Sequence, residues 1–213
     1  MQIVSYTEAA GKRNEDVLIH DPVAADGLWR CVLADGQGGR PGGGWAAKLA
    51  CDVTWERIKG LDATERCSPS SVCGALGEAD RAVCDDADAG FTTLTGLVID
   101  DGWLCGASNG DGLVLLLSDG VVTNLTRFQE KKPPIGAGRA DIRPFGAALD
   151  APWTLLIATD GAWKYIGIER LQALLPEPDG QVFVDGVLQA TRLAGSQELP
   201  DDFTVVRVTS AAE

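Results

Sequence analysis

Residues 34–50 read ADGQGGRPGGGWAAKLA: an aspartate closes an apolar run, six of the next nine residues are glycine, and a helix-like stretch follows. A phosphate cradle of the Walker type needs G-x-x-x-x-G-K-[ST], and this stretch has no Gly-Lys pair. A dinucleotide fingerprint can be laid on Gly42, Gly44 and Ala47, but a proline and further glycines precede it, and no strand with an acidic end follows at the required distance. The glycines alone would make a flexible turn before a helix. The aspartate is the more informative residue, because aspartate and glycine recur together where apolar runs stop: VLADGQGG at Asp35, ASNGDGLV at Asp111 and LIATDGAW at Asp160. NED near the start adds Glu15 and Asp16, and PDDFTVV near the end adds Asp201 and Asp202. Carboxylates gathered at strand ends repel one another unless a divalent ion neutralises them, and oxygen-only donors favour Mg²⁺ or Mn²⁺.

The rest of the chain narrows the chemistry. Its 213 residues are 45% hydrophobic and 23% charged, which fits one globular domain over 1–213. A net charge of −13 argues against nucleic acid and anionic membrane as partners. The opening MQIVSYTEAAGKRNED lacks a basic-then-apolar export pattern, and LVLLL at 113–117 is too short to span a bilayer, so a cytoplasmic protein is expected. Six cysteines without C-x-x-C spacing read as reduced thiols. The single histidine, His20, is expected in a turn, and its isolation disfavours a zinc site or a Ser-His-Asp triad.

Strand-like runs fall at 16–20, 29–35, 92–100, 103–108, 112–120, 153–161 and 203–209, and helical spacing at 43–59, 69–88, 168–175 and 181–194. Strands in runs with helices in pairs predict an α+β fold with antiparallel sheets. Residues 127–146 read as loop, and the basic stretch RFQEKKPP at 127–134 within it is expected as a solvated loop, with docking of an acidic partner as the alternative. Trp29, Trp103 and Trp153 on strands and Trp45 and Trp55 on a helix are expected in the core.

The ordered set GKRNED, LADGQGGRPGGGWAAKLA, TTLTGLVI, ASNGDGLVLLL, LIATDGAWKYI and DDFTVVRV resembles the type 2C metal-dependent serine/threonine protein phosphatases from about residue 5 to 209. The resemblance implies a β-sandwich of two antiparallel sheets flanked by helix pairs, with a binuclear Mg²⁺ or Mn²⁺ centre that activates water to hydrolyse phosphoserine or phosphothreonine in proteins. By position, Asp35 would bridge both ions, the Gly36 carbonyl would help hold one, and Asp160 and Asp201 would bind the other. Glu15 would support the pair through water, and Asp111 would serve a third ion. The family's phosphate-binding arginine falls on Gly11 here, so Arg13 becomes the candidate, turned inward on a re-routed first strand with Lys12 facing away. The histidine some members use as acid is Gln37, and the GDS serine is Gly112. These departures leave a second expectation, a catalytically weak relative that binds a phosphoprotein or regulatory partner. A monomer is expected.

Overall fold

In the computed structural model, which describes residues 1–22, 27–39, 41–150 and 152–210, the chain divides into two compact units, each built on one five-stranded antiparallel sheet. Unit 1 comprises Met1–Asn14, Leu113–Leu125 and Asp150–Glu213, and unit 2 comprises Glu15–Gly112 and Thr126–Leu149. The chain is α+β, as its sequence predicts.

Along the chain run β1 (Gln2–Glu8), β2 (Asp16–His20), β3 (Trp29–Asp35), α1 (Gly43–Lys59), α2 (Ala63–Arg66), α3 (Pro69–Asp85), β4 (Leu94–Asp100), β5 (Trp103–Asn109), β6 (Leu113–Ser118) and β7 (Val121–Asn124). They are followed by β8 (Arg143–Ala148), β9 (Trp153–Ala158), α4 (Asp160–Trp163), α5 (Ile168–Leu174), α6 (Gly180–Thr191) and β10 (Phe203–Thr209).

Unit 2 orders its strands β2-β3-β4-β5-β8 and packs α1 and α3 against them. The helices pack closely because most of their inward positions are small: Ala46, Ala47, Ala50 and Cys51 on α1 and Ala75 and Ala79 on α3, with the larger Leu76, join Val32, Leu94 and Val98 of the sheet in one core. Pro69 at the first turn starts α3, where its missing N–H costs nothing. Unit 1 orders its strands β1-β10-β9-β6-β7, and its core joins Leu115, Leu156 and Val205 to Leu171, Phe183 and Val187 of the helices. Asp179 caps α6 by accepting from the Gln181 and Val182 amides at 2.8 and 3.1 Å. Among the described residues no helix is long and apolar enough to cross a membrane.

Several expectations change on inspection. The run at 153–161 stops as a strand at Ala158, and Asp160 begins the short helix α4. Residues 143–146, read as the end of a loop, instead open β8, which pairs with β5 from Arg143↔Ser108 to Ala148↔Trp103. Of the tryptophans assigned to the core, Trp29 and Trp153 are buried, whereas Trp45 and Trp103 are 46% and 54% exposed. Trp103 opens an exposed β4–β5 hairpin end, so strand membership alone did not bury it. His20 is the last residue of β2, not a turn residue, and its Nδ1 pairs with the Asp21 carbonyl at 2.7 Å.

Candidate metal-binding site

Unit 2 holds Glu15, Asp35, Gly36 and Asp111. Asp35 ends β3, and its backbone is fixed on both sides: its amide donates to Thr93 Oγ1 at 2.9 Å, and its carbonyl accepts from Thr92 Oγ1 at 2.8 Å and the Thr93 amide at 2.9 Å. The side chain therefore leaves a strand end that cannot drift. Directly across the β2–β3 ladder stands Asp16, which is buried. Opposed residues point to the same face, and like charges there are destabilising unless something neutralises them.

The glycines have a steric reason. A Cβ on Gly36 would meet the Gly43 carbonyl carbon at 2.5 Å, because the loop doubles back to start α1, and Gly42 enters that helix at φ 88°, a left-handed conformation that glycine adopts freely. Glu15 borders this loop: its carbonyl accepts from the Gly36 amide at 3.1 Å, and its Oε2 would lie 3.7 Å from a Cβ on Gly38. In this stretch the glycines let backbone approach backbone, and the aspartate supplies the chemistry. Asp111, in the turn after β5, forms an ion pair with Lys131.

Unit 1 holds Asp160 and Asp201. Asp160 is buried in the first turn of α4, and the preceding Thr159 locks that turn to β10 by its amide to the Thr204 carbonyl at 3.0 Å and its Oγ1 from the Thr204 amide at 3.1 Å. Gly161 brings the second aspartate close: a Cβ there would collide with the Asp202 carbonyl and lie 3.2 Å from Asp201 Cβ. Asp202 is committed to backbone, accepting from the Ala10 amide at 2.8 Å. Lys164, one turn along α4, pairs with Asp160 Oδ2 at 3.0 Å, and that hydrogen bond, with the neighbouring Asp201, raises the ammonium above the ordinary lysine value.

Among the described residues no group of three or more Asp, Glu, His or Cys side chains is gathered closely enough to hold an ion. What each unit supplies is a pair, Asp35 with Asp16 and Asp160 with Asp201. Opposed or adjoining carboxylates on fixed backbone, with oxygen the only donor element, suit a hard divalent cation. The sequence placed Asp16 among the gathered carboxylates without a role and did not single out Lys164, yet the structure sets each beside a candidate ligand. Alternation across β2 points to Asp16, and the i, i+4 spacing from Asp160 points to Lys164.

Arg13 lacks the strand placement expected of it. It lies exposed in a bend between β1 and β2, so strand alternation does not set its direction or that of Lys12.

Residues 25–210 match the family model for stage II sporulation protein E (SpoIIE). The chain belongs to the SpoIIE family. No curated protein matches it significantly. Among solved structures, this SpoIIE-family chain is similar to the PstP serine/threonine protein phosphatase catalytic domain in complex with two manganese ions, at 18% identity and TM-score 0.76 over 97% of this chain and 96% of that one. It is similar to a bacterial serine phosphatase at 15% identity and TM-score 0.80 over 100% and 99%. PppA, a regulatory component of the type VI secretion system in Pseudomonas aeruginosa, aligns at 20% identity and TM-score 0.74 over 98% and 97%. These likenesses establish the type 2C phosphatase fold over the whole chain.

Proposed function

We propose that this chain is a Mg²⁺- or Mn²⁺-dependent phosphatase, a single catalytic domain over 1–213 that hydrolyses phosphoserine and phosphothreonine in proteins. The observation that carries the reading is the carboxylate pair each unit fixes beside an Asp-Gly step, Asp35 with Asp16 and Asp160 with Asp201. In this reading Asp35 would serve both ions, the Gly36 carbonyl would help hold one, and Asp160 and Asp201 would hold the other. Glu15 would support them through water, and Asp111 would serve a third, weaker ion. Bound, the ions supply a water acidic enough to attack phosphorus near neutral pH.

The chain's own groups do the remainder. Arg13, exposed beside the NED segment, is the candidate for gripping the substrate phosphate, with the paired donors that suit its oxygens. Gln37 cannot give up a proton, so the departing alkoxide takes one from solvent. The six cysteines are all free, which supports a reducing, cytoplasmic setting, and none belongs to the proposed ligand set. We take the protein to act as a monomer.

A second reading, a catalytically weak relative that binds a phosphoprotein or regulatory partner, is favoured by one observation: Lys131 and Lys164 already neutralise Asp111 and Asp160. Hydrolysis of an aryl phosphate separates the two. Turnover with Mn²⁺ that EDTA abolishes, and that survives thiol alkylation, supports the enzyme. Absence of turnover at saturating Mn²⁺, or full turnover in EDTA, overturns it.

A further inference from the structure

Unit 2 also carries a basic segment. Residues 127–143 contain Arg127, Lys131, Lys132, Arg139 and Arg143 against only Glu130 and Asp141, in a chain of net charge −13. Its composition reads as loop, yet its backbone is held at Gln129 and Glu130 and again from Pro133 to Asp141. Gly110 N–H donates to the Glu130 carbonyl at 3.1 Å, and Gln129 Nε2 to the Gly112 carbonyl. Asn109, fully buried, uses its whole amide: Nδ2 donates to the Pro133 and Asp141 carbonyls at 3.0 and 3.1 Å, and Oδ1 accepts from the Ile135 amide at 3.1 Å. Asp80, 4% exposed on α3, accepts the amides of Gly136, Gly138 and Ala140 at 2.7, 3.2 and 3.0 Å. Ile135 between them is buried and exchanges backbone hydrogen bonds with Thr92 at 3.2 Å.

Burying two polar side chains to immobilise a surface loop costs desolvation that a mere connection does not require. The strap 127–132, bonded at Gln129 and Glu130, leads directly into this fixed segment 133–141, which lowers the entropy it loses on binding a partner. Its exposed charged side chains are three cations, Arg127, Lys131 and Lys132, against one acid, Glu130. Arg127 stacks 4.6 Å over the ring of Phe128, which is 72% exposed, and Lys131 and Lys132 follow. Lys131 already holds a carboxylate, that of Asp111, while its own side chain stays 63% exposed. The surface thus grips an anion at one end and offers a stacked guanidinium and aromatic ring at the other.

We infer that the strap 127–132 is a docking site for acidic residues flanking the phosphorylated residue of a protein substrate. An acidic peptide is repelled by the molecule's net charge everywhere except where positive charge is concentrated, and this strap is such a place. The inference rests on the phosphatase reading for its substrate, while the docking itself can be measured without turnover.

The experiment uses two labelled phosphoserine peptides of equal length, one with Asp/Glu flanks and one with Asn/Gln flanks. Binding is followed by fluorescence anisotropy in EDTA, and kcat/KM is measured with Mn²⁺. Wild type should favour the acidic flanks roughly ten-fold at low salt, with the preference shrinking at 0.5 M NaCl. The double substitution Arg127→Glu with Lys132→Glu lies on exposed positions and should reduce that ratio to about one or below. Equal binding of both peptides by wild type, or a preference unchanged by charge reversal, overturns the inference. If wild type fails to hydrolyse aryl phosphate yet keeps a strap-dependent preference, the phosphatase reading falls and the docking site stands.

Discussion

At 35–36 an Asp-Gly step closes a strand, and at 160–161 one opens a helix, yet in both the glycine is required by backbone pressing against it. Gly36 faces Gly43, and Gly161 faces Asp202. At Asp101-Gly102 and Asp119-Gly120 a Cβ would meet nothing within 4 Å and the glycine serves a turn, whereas at 35–36 and 160–161 the dipeptide reports tight backbone packing beside a carboxylate. The two places differ in how the carboxylate's charge is met. Asp35 stands opposite another acid, Asp16, whereas Asp160 has Lys164 on its own helix. If both aspartates serve one catalytic function, the first should depend more strongly on added cation than the second.

The largest expected effect tests the more exposed side of that contrast. Asp35→Asn removes charge from the ligand proposed to serve both ions, and turnover should fall by more than roughly 100-fold, beyond what losing an outer-shell partner of a metal costs. Asp111→Asn should cost less, since it concerns only the third ion. Steady-state kinetics with Mn²⁺ checks both, and wild-type activity in Asp35→Asn would remove it from the site.

Next is the packing claim. Gly161→Ala places a methyl group against the Asp202 carbonyl, where backbone must shift to admit it. The loss should reach or exceed about 3 kcal/mol, the upper end for overpacking. Denaturant unfolding in EDTA measures it without the ion. Gly11→Ala, where a Cβ meets nothing within 4 Å, is the control and should be nearly silent. Equal effects from the two would mean that Gly161 is merely a turn residue.

The central strands were legible because β4, β9 and β10 are buried almost throughout and read as runs rich in apolar and β-branched residues such as WTLLIA and FTVVRVT. The outer strands β1, β7 and β8 were not, since their exposed and half-buried residues give neither a strong run nor clean alternation. Asp35, Asp111 and Asp160 were legible through the glycine that follows each. Asp16 was legible as one of the gathered carboxylates but not as the partner of Asp35, which lies across the ladder, and Asp80 and Asn109 were hidden because each organises a loop distant in sequence. Local pattern records what a residue needs from its neighbours in the chain, not what it provides to a distant segment.

Lys164→Met sharpens the comparison at the helix. Without the ammonium, Asp160 loses its resident partner, and Mn²⁺ affinity measured by titration calorimetry should rise roughly five-fold, equivalent to about 1 kcal/mol, the upper end for a pair whose lysine is 48% exposed. In EDTA the variant should melt slightly below wild type. Weaker Mn²⁺ binding in Lys164→Met would mean that the lysine orients Asp160 for the ion and does not compete with it.

The smallest effect concerns another carboxylate of unit 1 answered by its own chain. Glu8, at the end of β1, accepts from the Tyr6 hydroxyl at 2.7 Å and from Arg192 Nη2 at 2.8 and 2.9 Å. The Tyr6 hydrogen bond, followed by Arg192, holds its carboxyl below the ordinary value of 4.5 despite the opposing effect of burial. A carboxylate with a lowered folded pKa contributes stability that is present above the unfolded value and lost as pH falls through the folded one. Tyr6→Phe should therefore lower the melting temperature at pH 7, by an amount corresponding to about 0.5–1 kcal/mol for one hydrogen bond to a partly exposed group. The gap between variant and wild type should narrow as pH drops below about 4.5, where both carboxyls become protonated. A gap that stays constant from pH 7 to pH 3 would assign the loss to Tyr6 packing against Phe203, whose ring centroid lies 6.2 Å away, and not to the charge on Glu8.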